Sequence, residues 1–276
     1  MNKLFIGLVG VLSCISAQAL TISPAVKIDT DGPAHNPVLS PDGKTLLFSS
    51  DNHTGLKAMS FDTKEIIILD DAPGAGFNPV FSTDGSSVVY RTAQLVDGLM
   101  NRDVRAYTFA DNRARQLAPL SRNDVNLNDI SGHKEYVFAD YDHIVIAEDG
   151  KTKDLSPLDN AHSYLWASLS PDGSRILFAE PFQGVFVADR NGNNAVRIAI
   201  KGDYPAWASD NLVTFVVSHD DGYVILDSSL KVYDLATGVT VSLTPDDIKV
   251  GEATSSKGGK VVYSTLEGEL YEISIN

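Results

Sequence analysis

Six residues have the chemistry and the placement to meet around one point: His35, Asn36, Asn78, Asn126, Tyr204 and Glu252. Each stands in, or at the head of, a short apolar segment that runs into a turn, and together they are expected to bind a ligand. Neutral oxygens with one carboxylate could hold a hard cation such as Ca²⁺, with waters filling the remaining positions. The competing reading is that Asn36 and Asn78, each ahead of a proline, bond only the local backbone. No catalytic residue is assigned. The six histidines are scattered without His-x-x-x-His spacing, so a transition-metal site would need convergence in space. His162 with Glu252 could form an acid–base pair, although no local motif supports it. Asp42, Asp84 and Asp172 look like a repeated acidic set, but each sits in a turn of its own and the three are expected to lie apart.

The elements that would position these side chains are visible as a repeat. Asn36 opens the run Asn-Pro-Val-Leu-Ser-Pro-Asp-Gly-Lys-Thr-Leu-Leu-Phe, two apolar segments joined by a turn. In that turn proline presets φ, aspartate bonds the backbone ahead of it, and glycine accepts positive φ. The anchor residue of the turn recurs as Ser40, Ser82, Ser131, Ser170, Ala208 and Ser255, at intervals of 38 to 49 residues. A period of about 40–45 residues carrying several short strands marks a propeller blade. After every turn comes a strand such as Val88-Val89-Tyr90 or Ile176-Leu177-Phe178, and a third and a fourth strand follow. The fold class is therefore all-β: a six-bladed β-propeller of four-stranded antiparallel blades.

The sixth unit stops at Asn276 one strand short. An unpaired outer edge is a liability that propellers remove by closing the ring. Residues 21–28 are the spare strand-like segment, expected to pair beside residues 269–275. The inner strands are placed at residues 35–39, 77–81, 126–130, 165–169, 204–208 and 251–254. Residues 92–103 read as a loop with exposed Leu95, Leu99 and Met100, a candidate partner surface.

Residues 1–19 have the layout of a secretory signal peptide: Lys3, an apolar run, and Ala17-Gln18-Ala19 before Leu20. Residues 20–276 then form a single domain, periplasmic or secreted and without a transmembrane segment. The only cysteine, Cys14, lies in this peptide; the alternative is lipoprotein anchoring through it. The net charge of −14 makes nucleic acid and anionic membrane surfaces poor partners.

The repeats at Asn36, Asn78 and Ser170, with Tyr204-Pro205-Ala206-Trp207, resemble those of TolB-type six-bladed propellers. TolB carries a further N-terminal domain, for which there is no room between Leu20 and Asn36. Propeller peptidases carry a hydrolase domain with Gly-x-Ser-x-Gly, which is absent here. The resemblance implies architecture more than activity. The expected function is that of an exported, monomeric, non-catalytic propeller binding a protein or glycan of the cell envelope, at a channel mouth or through blade loops. No cofactor is expected unless Ca²⁺ binds as above. The alternative is a metal-assisted hydrolase or lyase working at the central channel.

Overall fold

The computed structural model describes residues 20–121, 135–149, 151–159, 163–245 and 247–276. Its sheets are the blades of a six-bladed propeller, arranged in chain order around the ring. Blade one is His35–Leu39, Thr45–Ser50, Thr54–Ser60 and Ile66–Asp70. Blade two is Val80–Phe81, Ser87–Val96, Leu99–Thr108 and Arg113–Ser121. Blade three has three described strands, Tyr136–Asp140, His143–Glu148 and Lys151–Leu155; its expected inner strand at residues 126–130 lies outside the described residues. Blade four is Leu165–Leu169, Arg175–Glu180, Gly184–Asp189 and Val196–Ala199. Blade five is Asp203–Trp207, Leu212–Asp220, Ile225–Asp234 and Val239–Ser242. All neighbouring strands pair antiparallel.

Blade six contains both ends of the chain. Val250–Ser256, Lys260–Thr265 and Leu270–Ser274 are joined at the outer edge by Val26–Ile28. Val26 faces Glu272, Lys27 faces Tyr271 and Ile28 faces Leu270. Thr21 and Asn276 exchange both backbone hydrogen bonds, at 2.8 and 2.9 Å. The closure expected from the sequence is the one observed. Ile28 and Leu270 are buried in one core cluster with Leu39, Leu46, Phe48 and Val262, so the seam is apolar as well as hydrogen-bonded.

The turn that ends each inner strand is built as its residues dictate. Ser40 Oγ donates to Asp42 Oδ1 at 2.7 Å and accepts from the Thr45 N–H at 2.9 Å. Ser82 with Asp84 and Ser170 with Asp172 repeat the donation at 2.6 Å, while Asp42, Asp84 and Asp172 each also accept a backbone N–H two residues on. Gly43, Gly85 and Gly173 follow with φ of 69–71°, which glycine adopts without steric cost. The three serines are buried and three carboxylates are used locally, so the acidic set is a turn device.

Two expectations are corrected. Residues 92–103 are not a loop: pairing continues from Thr92↔Asp103 out to Val96↔Leu99. Asp97 and Gly98 turn the chain with φ of 51° and 75°, the primed two-residue hairpin that Asp-Gly favours. The inner strand of blade two is Val80–Phe81, shorter than residues 77–81. Asn78 is left-handed and Pro79 has no N–H to donate, so the ladder starts after them.

A chain lacking residues 20–28 should lose the burial of Ile28 and the outer ladder of blade six. We expect a destabilisation of about 3 kcal/mol, lowering the melting temperature by about 10 °C; an unchanged melt would show that blade six needs no fourth strand. The turns should also be acid-sensitive. Hydrogen bonds from Ser170 and Ser174 hold the Asp172 carboxyl down to about 2. Its contribution is present above the ordinary carboxylate value and is lost as pH falls towards 2. Asp172→Asn should therefore melt lower than the parent at pH 7 and converge with it by pH 2.

Candidate functional site

The inner strands enclose a central channel of ≈ 800 Å³. At one mouth lie the turns, with Pro41, Asp42, Asp84, Pro171, Asp172 and Lys257 in the wall. At the other, where the inner strands begin, the wall is Asn36, Phe77, Asn78, Arg91, Trp166, Tyr204 and Glu252.

Backbone geometry sets this second mouth apart. Asn36, Asn78, Trp166 and Tyr204 have φ of 52°, 47°, 51° and 52°, all in the left-handed region. Each stands four residues before the anchor of its turn. In blades one, four and five the pairing slips one residue here: His35 faces Ser49 but Val38 faces Leu47, and the same step occurs between Leu165 and Ser168 and between Asp203 and Ala206. Such a bulge re-aims a side chain. Asparagine tolerates the left-handed conformation, whereas for tryptophan and tyrosine it costs about 1–3 kcal/mol. The outcome of that strain is an aromatic pair at the mouth, Trp166 and Tyr204, with centroids 4.9 Å apart.

The polar groups divide into engaged and unengaged. The Asn36 N–H donates to the Glu252 carboxylate, and the Asn36 amide bonds Ser49 Oγ at 3.1 Å and His53 Nδ1 at 2.6 Å. Asn36 is thus a brace between two blades whose amide points at its own blade. His53 in turn packs edge-on against Phe77, which is 50% exposed. Burial first, then the Glu252 and Asp203 carboxylates, push the Tyr204 phenol up to about 12, so it stays a neutral hydroxyl at any physiological pH. Burial also raises the Asp203 carboxyl. Among the described residues, no hydrogen bond engages the side chains of Asn78, Arg91, Trp166 or Tyr204.

Of the six residues expected to bind, Asn36, Asn78, Tyr204 and Glu252 share the channel wall. His35 does not line it; its Nε2 lies 3.0 Å from Asp51 Oδ1. Asn126, His133 and His162 lie outside the described residues. Among the described residues no group of three or more His, Cys, Asp or Glu side chains converges to hold a metal. Sequence reasoning missed Phe77, Arg91 and Trp166. The signal for Trp166 was there: it holds the place that Asn36, Asn78 and Tyr204 hold in their blades.

The fold is shared with solved structures of low identity. A provisional TolB from Agrobacterium tumefaciens matches at 17% identity over 93% of this chain and 98% of that chain, with a TM-score of 0.57. A structural-genomics protein of unknown function from Bacteroides thetaiotaomicron matches at 10%, over 94% and 76%, with a TM-score of 0.60. Oligogalacturonate lyase from Vibrio parahaemolyticus matches at 12%, over 90% and 79%, with a TM-score of 0.50. No protein-family profile and no curated protein matches the chain. The resemblance of the repeats to TolB-type propellers is met by the architecture.

Trp166→Asn should lose the ring contacts but relieve the strained backbone. Its melting temperature is expected to stay within about 4 °C of the parent, whereas Phe178→Ala in the core should cost about 3–5 kcal/mol. A drop for Trp166→Asn as large as that for Phe178→Ala would make Trp166 a packing residue.

Proposed function

We propose that the mature chain is an exported, non-catalytic binding propeller, periplasmic or secreted, that receives a glycan at the mouth formed by Asn36, Phe77, Asn78, Trp166, Tyr204 and Glu252. The observation that carries this reading is the strained Trp166–Tyr204 pair facing the channel. Strain of that kind persists only where the surrounding structure over-determines it, and it clusters at ligand-binding sites. A sugar presents an apolar C–H face and a rim of hydroxyls; an indole and a phenol offer flat apolar bodies with polar edges, while Asn78 and Glu252 supply donors and acceptors beside them. A channel of this volume, largely apolar with a few polar groups, has the build of a small-ligand site. Export rests on the signal layout of residues 1–19; among the described residues no helix is long and apolar enough to cross a membrane.

A second reading, a protein partner, rests on a different observation. Blades two and five, three steps apart and so opposite in the ring, carry the longest hairpins, with strands of nine or ten residues. Since the second strand of a blade runs back from the turn mouth, both tips rise on the aromatic side. Leu95 is 65% exposed on one tip and Tyr223 95% on the other, with Leu99, Met100, Val224 and Leu226 beside them. Facing apolar tips suit a protein held across the mouth.

The test is intrinsic fluorescence of the mature chain against a panel of soluble neutral and acidic oligosaccharides. The chain has two tryptophans, and Trp207 is buried, so a mouth ligand should change Trp166 emission and lose that effect in Trp166→Asn. If no glycan acts, but deleting residues 95–100 weakens protein capture from an envelope extract, the second reading stands instead. Calcium separates both from the metal-assisted hydrolase or lyase. Millimolar Ca²⁺ and chelator should leave the melt unmoved; a rise of several degrees with Ca²⁺ would assign a cation to Glu252 and Asn78.

A further inference from the structure

The mouth has two aromatic walls on opposite sides of the ring. Trp166 and Tyr204 come from blades four and five. Phe77, at the entry to blade two, also lines the channel, and its ring rests edge-on against His53 of blade one, with centroids 5.0 Å apart. In a ring of six, blade one lies opposite blade four and blade two opposite blade five. The second wall therefore faces the first across the opening. It is also braced, although half of Phe77 is open to solvent. The Phe77 N–H donates to the Gly74 carbonyl at 3.0 Å, and the Gly76 N–H donates to the His53 carbonyl at 3.2 Å. Gly76 lies so close to blade one that a Cβ there would stand 2.1 Å from Ser49 Cβ, so no larger residue fits. The His53 ring is held in turn by the Asn36 amide, 2.6 Å from Nδ1, and that amide also reaches Ser49 Oγ. A phenyl ring supported in this way is pre-organised, which lowers the ordering cost of stacking a ligand on it.

We propose that the ligand is a linear β-1,4-linked, gluco-configured oligosaccharide that stacks on both walls at once, and that Phe77 is the residue that reads its length. The proposal rests on the glycan reading above and narrows it to a chain of several rings. Gluco-configured rings hold their substituents equatorial, so both faces are clad in C–H groups and can lie on an aromatic surface. A β-1,4 linkage keeps the chain extended, as reaching two opposed walls requires. The channel between the walls, ≈ 800 Å³, is of the size that buries ligands larger than one hexose. Glu252, in blade six, stands between blades five and one, where its carboxylate can accept from the equatorial hydroxyls of rings that cross the opening.

The experiment titrates the mature chain with cello-oligosaccharides and with chito-oligosaccharides, each from the monosaccharide to the pentasaccharide, reading Trp166 emission. Affinity in at least one series is expected to rise by about tenfold as the chain lengthens, the worth of one added stacking contact, and then to level off. Phe77→Ala should flatten that rise, with a melting temperature within about 4 °C of the parent because the ring is half exposed. Phe182→Ala, on an exposed hairpin tip outside the channel wall, should leave the rise as it is. An affinity that is the same at every length, or a rise that survives Phe77→Ala, overturns the proposal and leaves the glycan reading intact. So does silence from both series in a parent that responds to another member of the oligosaccharide panel. Silence from both series and from the whole panel overturns both.

Discussion

The ring holds together because its last sheet is shared between the two ends of the chain. Three residues, Val26–Ile28, supply the outer strand that Val250–Ser274 lacks, and Ile28 completes the core between blades six and one. Without this pairing the sheet would present an open row of N–H and C=O groups. The Asn36 N–H on Glu252 joins the inner strands of blades one and six, at the opposite edge of the sixth sheet from the closing strand.

A propeller is tolerant where its blades repeat and specific where they depart from repetition. The serine–aspartate turn is nearly the same object in three blades, and it consumes its own polar groups. The opposite mouth reuses one backbone device, a left-handed bulge, but fills it with Asn36, Asn78, Trp166 and Tyr204. In blades one, four and five the bulge delivers a side chain to the same height, and the residue identity then decides whether it braces the wall or faces the channel. Asn36 braces; Trp166 and Tyr204 face each other across adjacent blades.

What the sequence disclosed follows the range of the forces involved. The Ser-Pro-Asp-Gly turn is encoded within four residues, so blade number, strand order and the shared sixth blade could all be read from its recurrence. The hairpin at Asp97-Gly98 was equally local and was overlooked because its flanking Leu95, Leu99 and Met100 read as a loop surface. The inner strand of blade two was placed too long because the left-handed state of Asn78 leaves no composition signal. The channel wall was partly legible: Asn36, Asn78, Tyr204 and Glu252 line it as their place before the turns implied, whereas Arg91, also in the wall, lies on a second strand and carries no such positional signal. His35 was included by proximity in sequence, but the bulge that follows it sends its imidazole to Asp51.

The seam in blade six also constrains when the protein can finish folding. Lys27 and Glu269 meet across 242 residues, so the contact that locks the ring is among the most distant the chain makes. Loop closure of that length is slow to find and is reached only after the final strand has been synthesised. Until then the nascent molecule is an open arc of blades with a free border at each end.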